Sequence, residues 1–165
     1  MPNWCENVLT ITGNDKQVKA FKKKAFTAKQ KNALDFCNFF SASEPEKNNL
    51  DWQRDHFGCK WGANNPGITL DEPEKVEYFF DSAWGPPVEF IVHVSKMYPD
   101  LKFSLFYHEP GMCFIGDFVV KNNQVLEDTC YEGDAYRHRF REVDPEGYQE
   151  WYGNEQTTRA RRHDK

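Results

Sequence analysis

The chain has 165 residues and a formal net charge of −5, from 21 basic and 26 acidic side chains. This length is typical of one domain, and 14 Phe, 7 Tyr and 5 Trp supply large rings for a packed core. No apolar run reaches the roughly 18 residues of a transmembrane helix, and the first residues lack the pattern of a secretory signal. We therefore expect a cytoplasmic protein that folds alone and makes no membrane contact.

The cysteine pattern favours reduced thiols. The five cysteines are an odd number at wide spacing, and no Cys-x-x-Cys motif occurs. His56 and Cys59 form a close pair at ligand spacing, but two ligands are only half of a zinc site. The sequence therefore predicts no metal and no cofactor.

The first half of the chain begins with two clear elements. Residues 4–12 alternate in polarity, which predicts a strand, and Asn14 or Asp15 can cap an amphipathic helix that runs to residue 31. An apolar stretch at residues 33–40 indicates a second strand. Residues 41–75 contain many turn-forming residues, and we expect an irregular insertion there with one or two helical turns.

The second half contains mostly strands. Residues 76–81 alternate in polarity and predict a strand, after which Pro86 and Pro87 open a helix. Three further strands are predicted at residues 101–108, 113–120 and 124–131, the last two joined by a turn at Asn122 and Asn123.

This order of elements favours an α+β fold. We expect a ferredoxin-like, split βαβ antiparallel sheet with two helices on one face, extended by a C-terminal hairpin. The domain would span residues 2–131, and residues 132–165 would form a C-terminal extension that is mobile beyond about residue 153. The other face of the sheet could be free, and the side chains expected on it from one strand are Lys102, Ser104, Phe106 and His108.

Several segments occur in order between residues 1 and 130: Met1-Pro-Asn-Trp-Cys-Glu-Asn, Gly58-x-Lys60-Trp61, Phe80-Asp-Ser-Ala-Trp84-x-Pro-Pro87, Tyr98-Pro-Asp-Leu101 and Glu109-Pro-Gly111. Together they resemble the YubB-type ferredoxin-like domain family of bacterial plasmids and phages. The resemblance implies the ferredoxin-like fold and an origin in a mobile element, but no activity, because the family is uncharacterised. Relatives tend to carry an acidic residue after Lys-Trp, where this chain has Gly62, so any role of that carboxylate is absent.

The candidate ligand- or partner-binding residues are Lys60, Trp61, Trp84 and Glu109, which lie in or beside predicted turns. Indole rings beside a lysine and a carboxylate offer a stacking plane and two opposite charges, which suit a nucleobase, a peptide or an aromatic ligand. The alternative is structural. Both tryptophans would then close the end of the core under an irregular loop, with Lys60 and Glu109 as a surface ion pair.

A second hypothesis is binding of nucleic acid by the first helix. Its lysines could neutralise phosphates, and a ferredoxin-like sheet is the scaffold of RNA-recognition modules. Against this, residues 32–133 carry 7 basic and 17 acidic side chains, which would repel a phosphate chain lying across the sheet. The candidate residues for this hypothesis are Lys16, Lys19, Lys22, Lys23 and Lys24.

Catalysis has little support in the sequence. A free Pro2 amine could act as a base, and Glu109 could serve in a site, but no phosphate-binding loop, Gly-x-Ser-x-Gly or His-Glu-x-x-His motif occurs. We assign no catalytic residues. The leading hypothesis is a small non-enzymatic binding protein of a phage, prophage or plasmid, which contacts a protein of the bacterial host or of the element as an accessory or counter-defence factor.

Overall fold

The computed structural model describes residues 2–28 and 31–160. The strands are β1 (Trp4–Thr12), β2 (Lys60–Glu72), β3 (Lys75–Ala83), β4 (Lys102–Glu109), β5 (Phe114–Lys121) and β6 (Gln124–Glu132). The helices are α1 (Asp15–Ala25), α2 (Glu44–Lys47), α3 (Leu50–Phe57), α4 (Val88–Met97), α5 (Gly133–Val143) and α6 (Pro145–Ala160), with a 3₁₀ helix at Phe36–Phe39. Among the described residues, no helix is both long enough and apolar enough to cross a bilayer.

The strands form one six-stranded sheet in the order β2-β3-β1-β4-β5-β6, and every neighbouring pair is antiparallel. The first four strands of this order, together with α1 and α4, have the ferredoxin-like arrangement, which confirms the predicted fold class. The β5–β6 hairpin extends the sheet beside β4. Its turn places Asn122 and Asn123 at φ values of 48° and 61°, as a two-residue hairpin loop of type I′ requires.

The main core lies on the face of the sheet that α1 and α4 cover, which we call the helix face. In α1, Val18, Phe21 and Ala25 recur at helical spacing and are buried, and Asn14 caps the helix by accepting from the Gln17 amide at 2.9 Å. Aromatic rings fill much of this core, because few aliphatic residues are present. The rings that surround Phe21 at 5.0–6.2 Å between centroids are Phe39, Tyr78, Tyr98 and Phe103.

Two predictions in the first half were wrong. Residues 33–40 are not a strand, because Asp35 caps a 3₁₀ turn there and Phe36 stacks on Phe90 at 3.8 Å between ring centroids. Residues 41–75 contain the expected helical turns, in α3, but the rest of the segment is not irregular, because it contains α2 and the edge strand β2. Within the described residues, β2 pairs with β3 alone, through several register shifts, which explains why its sequence does not alternate. Helix α1 ends at Ala25, earlier than predicted, and residues 29–30 lie outside the described residues.

The predicted C-terminal extension is largely helical and packs on the second face of the sheet, opposite the helix face. Tyr136 and Phe140 of α5 are buried against Ile115 of β5, and Phe106, Tyr131 and Tyr148 pack around them. The α5 and α6 helices therefore cover the β4–β6 half of the second face and leave the β1–β3–β2 half uncovered. The mobility expected beyond about residue 153 stays a prediction, and residues 161–165 lie outside the described residues.

Candidate functional site

Three neighbouring tryptophans lie at one end of the uncovered half of the sheet. Trp4, Trp61 and Trp84 are 37%, 50% and 42% exposed. The ring centroid of Trp61 lies 6.4 Å from that of Trp4 and 5.6 Å from that of Trp84. The ammonium group of Lys60 lies 4.8 Å from the centroid of the Trp84 ring, within the range of a cation–π interaction. We call these four residues the tryptophan surface.

The backbone holds two of these tryptophans in an uncommon conformation. Trp61 and Trp84 have φ values of 66° and 65°, a left-handed region that bulky side chains rarely adopt. Hydrogen bonds fix both residues: the Trp61 amide donates to the Gln53 side chain of α3, and the Trp84 amide donates to the Asn3 carbonyl, each at 2.9 Å. Strained residues that the surrounding structure holds in place often mark functional sites.

Two carboxylates adjoin the tryptophan surface. Glu6 and Asp81 are directly opposite each other in β1 and β3. Glu6 lies two residues after Trp4 in β1, on the same face. Burial raises the pKa of Glu6, and the nearby charges of Asp81 and Asp144 raise it further. Burial also raises the pKa of Asp81, against a hydrogen bond from Asn64 that lowers it. Like charges in directly opposite positions destabilise a sheet, so this pair costs folding stability.

His108 marks the border between the covered and uncovered halves of the second face. Its Nε2 lies 2.9 Å from the Tyr136 hydroxyl of α5, and its Nδ1 lies 3.8 Å from the Glu6 carboxylate. The imidazole also packs on Phe140, at 4.5 Å between ring centroids. Burial lowers the pKa of His108, and the charge of Asp144 opposes this effect. The sequence predicts that the His108 side chain lies on the second face of the sheet. It does lie there, but α5 covers it.

Glu109 does not join the tryptophan surface. It lies on the helix face of β4, is 1% exposed, and its carboxylate accepts from the backbone amides of Gly111 and Met112. The carboxylate therefore closes the turn between β4 and β5. Of the four predicted site residues, the structure brings together Lys60, Trp61 and Trp84.

The lysine-rich helix α1 lies on the other side of the sheet from the tryptophan surface. Part of its positive charge is paired: Lys19 contacts Asp15 at 2.7 Å, and Lys22 contacts Asp71. The Lys24 ammonium lies 6.0 Å from the Phe39 ring, and the remaining candidates, Lys16 and Lys23, are exposed. A ligand on α1 and a ligand on the tryptophan surface would thus occupy opposite faces of the molecule.

The cysteines and histidines offer no alternative centre within the described ranges, where no three His, Cys, Asp or Glu side chains are grouped to hold a metal ion. Cys5 and Cys59 are buried on the helix face. Burial raises the pKa of both thiols, that of Cys59 to about 12, so both stay protonated and unreactive at neutral pH.

Sequence reasoning missed Trp4, Glu6 and Asp81 as members of the site. The alternation in β1 already places Trp4 and Glu6 on the same face, opposite the buried Cys5. Their neighbours across the sheet could not be identified, because the register of β1 with β3 joins residues far apart in the chain, from Trp4 with Ala83 to Thr12 with Lys75. Pairing over such distances leaves no local signal.

The comparisons with known proteins concern the fold. A family model described as "ferredoxin-like domain in Api92-like protein" matches residues 49–157, a range that includes all of α5 and most of α6. Among solved structures, the chain is similar to the crystal structure of the protein Api92 from Yersinia pseudotuberculosis, with a TM-score of 0.65 and 11% sequence identity. That match covers 81% of this chain and 99% of the Api92 chain. None of the curated proteins matches the chain.

Proposed function

The chain belongs to the family of ferredoxin-like domains of Api92-like proteins, and we propose that it is a small non-enzymatic binding protein whose tryptophan surface contacts another protein. Its resemblance to plasmid and phage proteins supports an origin in a mobile element. The partner would then be a protein of the bacterial host or of the element, met in the cytoplasm, and counter-defence would be one use of such a contact.

One observation carries this proposal: three adjacent indole rings, each more than a third exposed, lie where β1 and β2 begin and β3 ends. Tryptophan is the residue type most enriched in the energetic centres of protein interfaces, where it buries a large area and loses little conformational entropy. A contiguous exposed patch of apolar rings is unfavourable in a protein that acts alone. The left-handed backbone of Trp61 and Trp84 adds to this cost, which a binding role would explain.

The structural alternative, in which the tryptophans close the core, makes a different prediction about stability. Trp61 is half exposed, so its replacement by alanine should lower the melting temperature only slightly. If Trp61 were a plug, the same replacement would expose the core beneath it and lower the melting temperature by many degrees.

Capture of a partner tests the proposal. The chain, tagged at its C-terminus so that Pro2 stays free, is incubated with a lysate of a bacterial host after nuclease treatment, and bound proteins are identified by mass spectrometry. Trp61→Ala is compared with Trp151→Ala, a matched control because Trp151 of α6 is 57% exposed outside the tryptophan surface. We expect a stoichiometric protein that wild type and Trp151→Ala retain and Trp61→Ala loses. Equal retention by both variants contradicts the proposal.

The same experiment distinguishes our proposal from the hypothesis that α1 binds nucleic acid. Without nuclease, a chain that binds through α1 should retain nucleic acid, and replacing Lys22, Lys23 and Lys24 with glutamate should abolish that retention. Under our proposal, the triple variant retains the same protein partner as wild type, because α1 lies on the opposite side of the sheet.

A further inference from the structure

The chemistry beside the tryptophan surface indicates which side chain a partner would present. Trp4 and Glu6 lie on the same face of β1, two residues and thus about 7 Å apart. Asp81 faces Glu6 from β3. Two acidic groups therefore extend the row of indole rings along the strands.

The register brings these two carboxylates close together. Asn3 and Trp84 form a hydrogen-bonded pair at the start of the β1–β3 ladder, since the Trp84 amide donates to the Asn3 carbonyl. Hydrogen-bonded and non-hydrogen-bonded pairs alternate along an antiparallel ladder, so Glu6 and Asp81 form a non-hydrogen-bonded pair. Such pairs have the closer spacing, about 4.5 Å between Cα atoms.

Within the described part of the chain, no lysine or arginine forms an ion pair with Glu6 or Asp81, and the basic group in contact with Glu6 is His108. Glu6 is 57% exposed at its side chain, and its neighbour His108 is driven towards the neutral form by burial. Lys60, the lysine of the tryptophan surface, contacts the Trp84 ring with its ammonium group. A single cation placed between Glu6 and Asp81 would relieve their repulsion.

We propose that the tryptophan surface receives an arginine side chain of the protein partner, with its guanidinium group against Glu6 and Asp81 and its stem over Trp4 and Trp61. This inference rests on the proposed function. Arginine suits the site better than lysine, because its planar guanidinium binds carboxylates through two parallel hydrogen bonds, whereas an ammonium group offers only a point charge. The Lys60 ammonium already occupies one ring, Trp84, which leaves the other two for the incoming side chain.

Titration with short peptides, followed by NMR of the indole N–H groups, tests this inference. The probes are acetylated and amidated octapeptides of alternating glycine and arginine, and the matched norleucine and glutamate peptides. The chain contains five tryptophans, so Trp52 and Trp151 serve as internal controls for the three surface rings. The full chain is used as wild type, as the double variant Glu6→Gln/Asp81→Asn, and as Glu77→Gln, a control on the same face whose carboxylate accepts from Thr69.

We expect the arginine peptide alone to shift the indole signals of Trp4 and Trp61. The double variant should raise the dissociation constant by about tenfold or more, while Glu77→Gln leaves it within about twofold. Equal shifts with the norleucine or glutamate peptide overturn the inference, as do unchanged spectra with every peptide.

The captured partner separates failure of this inference from failure of the proposed function. If Trp61→Ala loses the partner and Glu6→Gln/Asp81→Asn keeps it, the tryptophan surface is a protein-binding site that does not recognise an arginine side chain. If neither variant loses the partner, both proposals are wrong.

Discussion

Replacing Phe140 with alanine should weaken the attachment of the C-terminal helices to the sheet. Phe140 is 2% exposed, and its ring packs on His108, Tyr136 and Tyr148 at 4.5–5.9 Å between centroids. Removing a fully buried phenylalanine ring typically costs about 3–5 kcal/mol, which is a large part of the 5–15 kcal/mol that stabilises a domain. We therefore expect the free energy of unfolding to fall by about 3 kcal/mol or more.

Urea denaturation followed by far-ultraviolet circular dichroism measures this change. The control is Val143→Ala in the same helix, where the side chain is 39% exposed and the expected change is within about 0.5 kcal/mol. If the lost packing exceeds the free energy that holds α5 and α6 on the sheet, both helices detach before the rest of the domain unfolds. Their amides then exchange with solvent faster than those of β1. A loss below about 1 kcal/mol together with unchanged exchange would refute the reasoning.

Three further predictions concern the sheet and its border. Gly116→Ala should destabilise by about 1–3 kcal/mol, because the added Cβ would clash with the Thr129 carbonyl oxygen; Gly85→Ala, with nothing within 4 Å, is the control in the same thermal melts. Burial lowers the pKa of His108 below its unfolded value, so its contribution to stability is full above about pH 6.5 and is lost as the pH falls. The decline in unfolding free energy between pH 7.5 and about 5.5 should flatten in His108→Gln, and an unchanged slope contradicts this. Asn123→Gly should raise the melting temperature, because glycine adopts the φ of 61° without strain; a lower value would argue against the type I′ turn.

Much of the fold could be predicted because its signals are local. Strand β1 has an alternating pattern, α1 has a capping residue and helical spacing, and the β5–β6 hairpin has two asparagines at its turn. Strand β2 has no such signal. It is an edge strand with register shifts. Its turn-forming residues do not form a loop; the backbone is left-handed at Trp61 and Gly62, within the strand.

The candidate site could be predicted only in part for a related reason. Turn residues such as Lys60, Trp61 and Trp84 stand out in a sequence, but a turn-forming pattern does not show on which face a side chain lies. Glu109 shares the end of the sheet with them and faces the other way. The role of α5 could not be foreseen either, because a second helical layer on the opposite face depends on the pairing of β4 with β5 and β6.

The half-covered second face also limits the shape of any partner. Strands in a sheet are about 4.8 Å apart, so the open part formed by β1, β3 and β2 is only about 10 Å wide between its outer strands. That width matches one α-helix, with a diameter of about 10–12 Å, or a single loop. A flat protein surface that approaches along the sheet normal would meet α5, which packs on the neighbouring half of the same face. We therefore expect a partner that inserts a protruding element, whose tip decides the affinity.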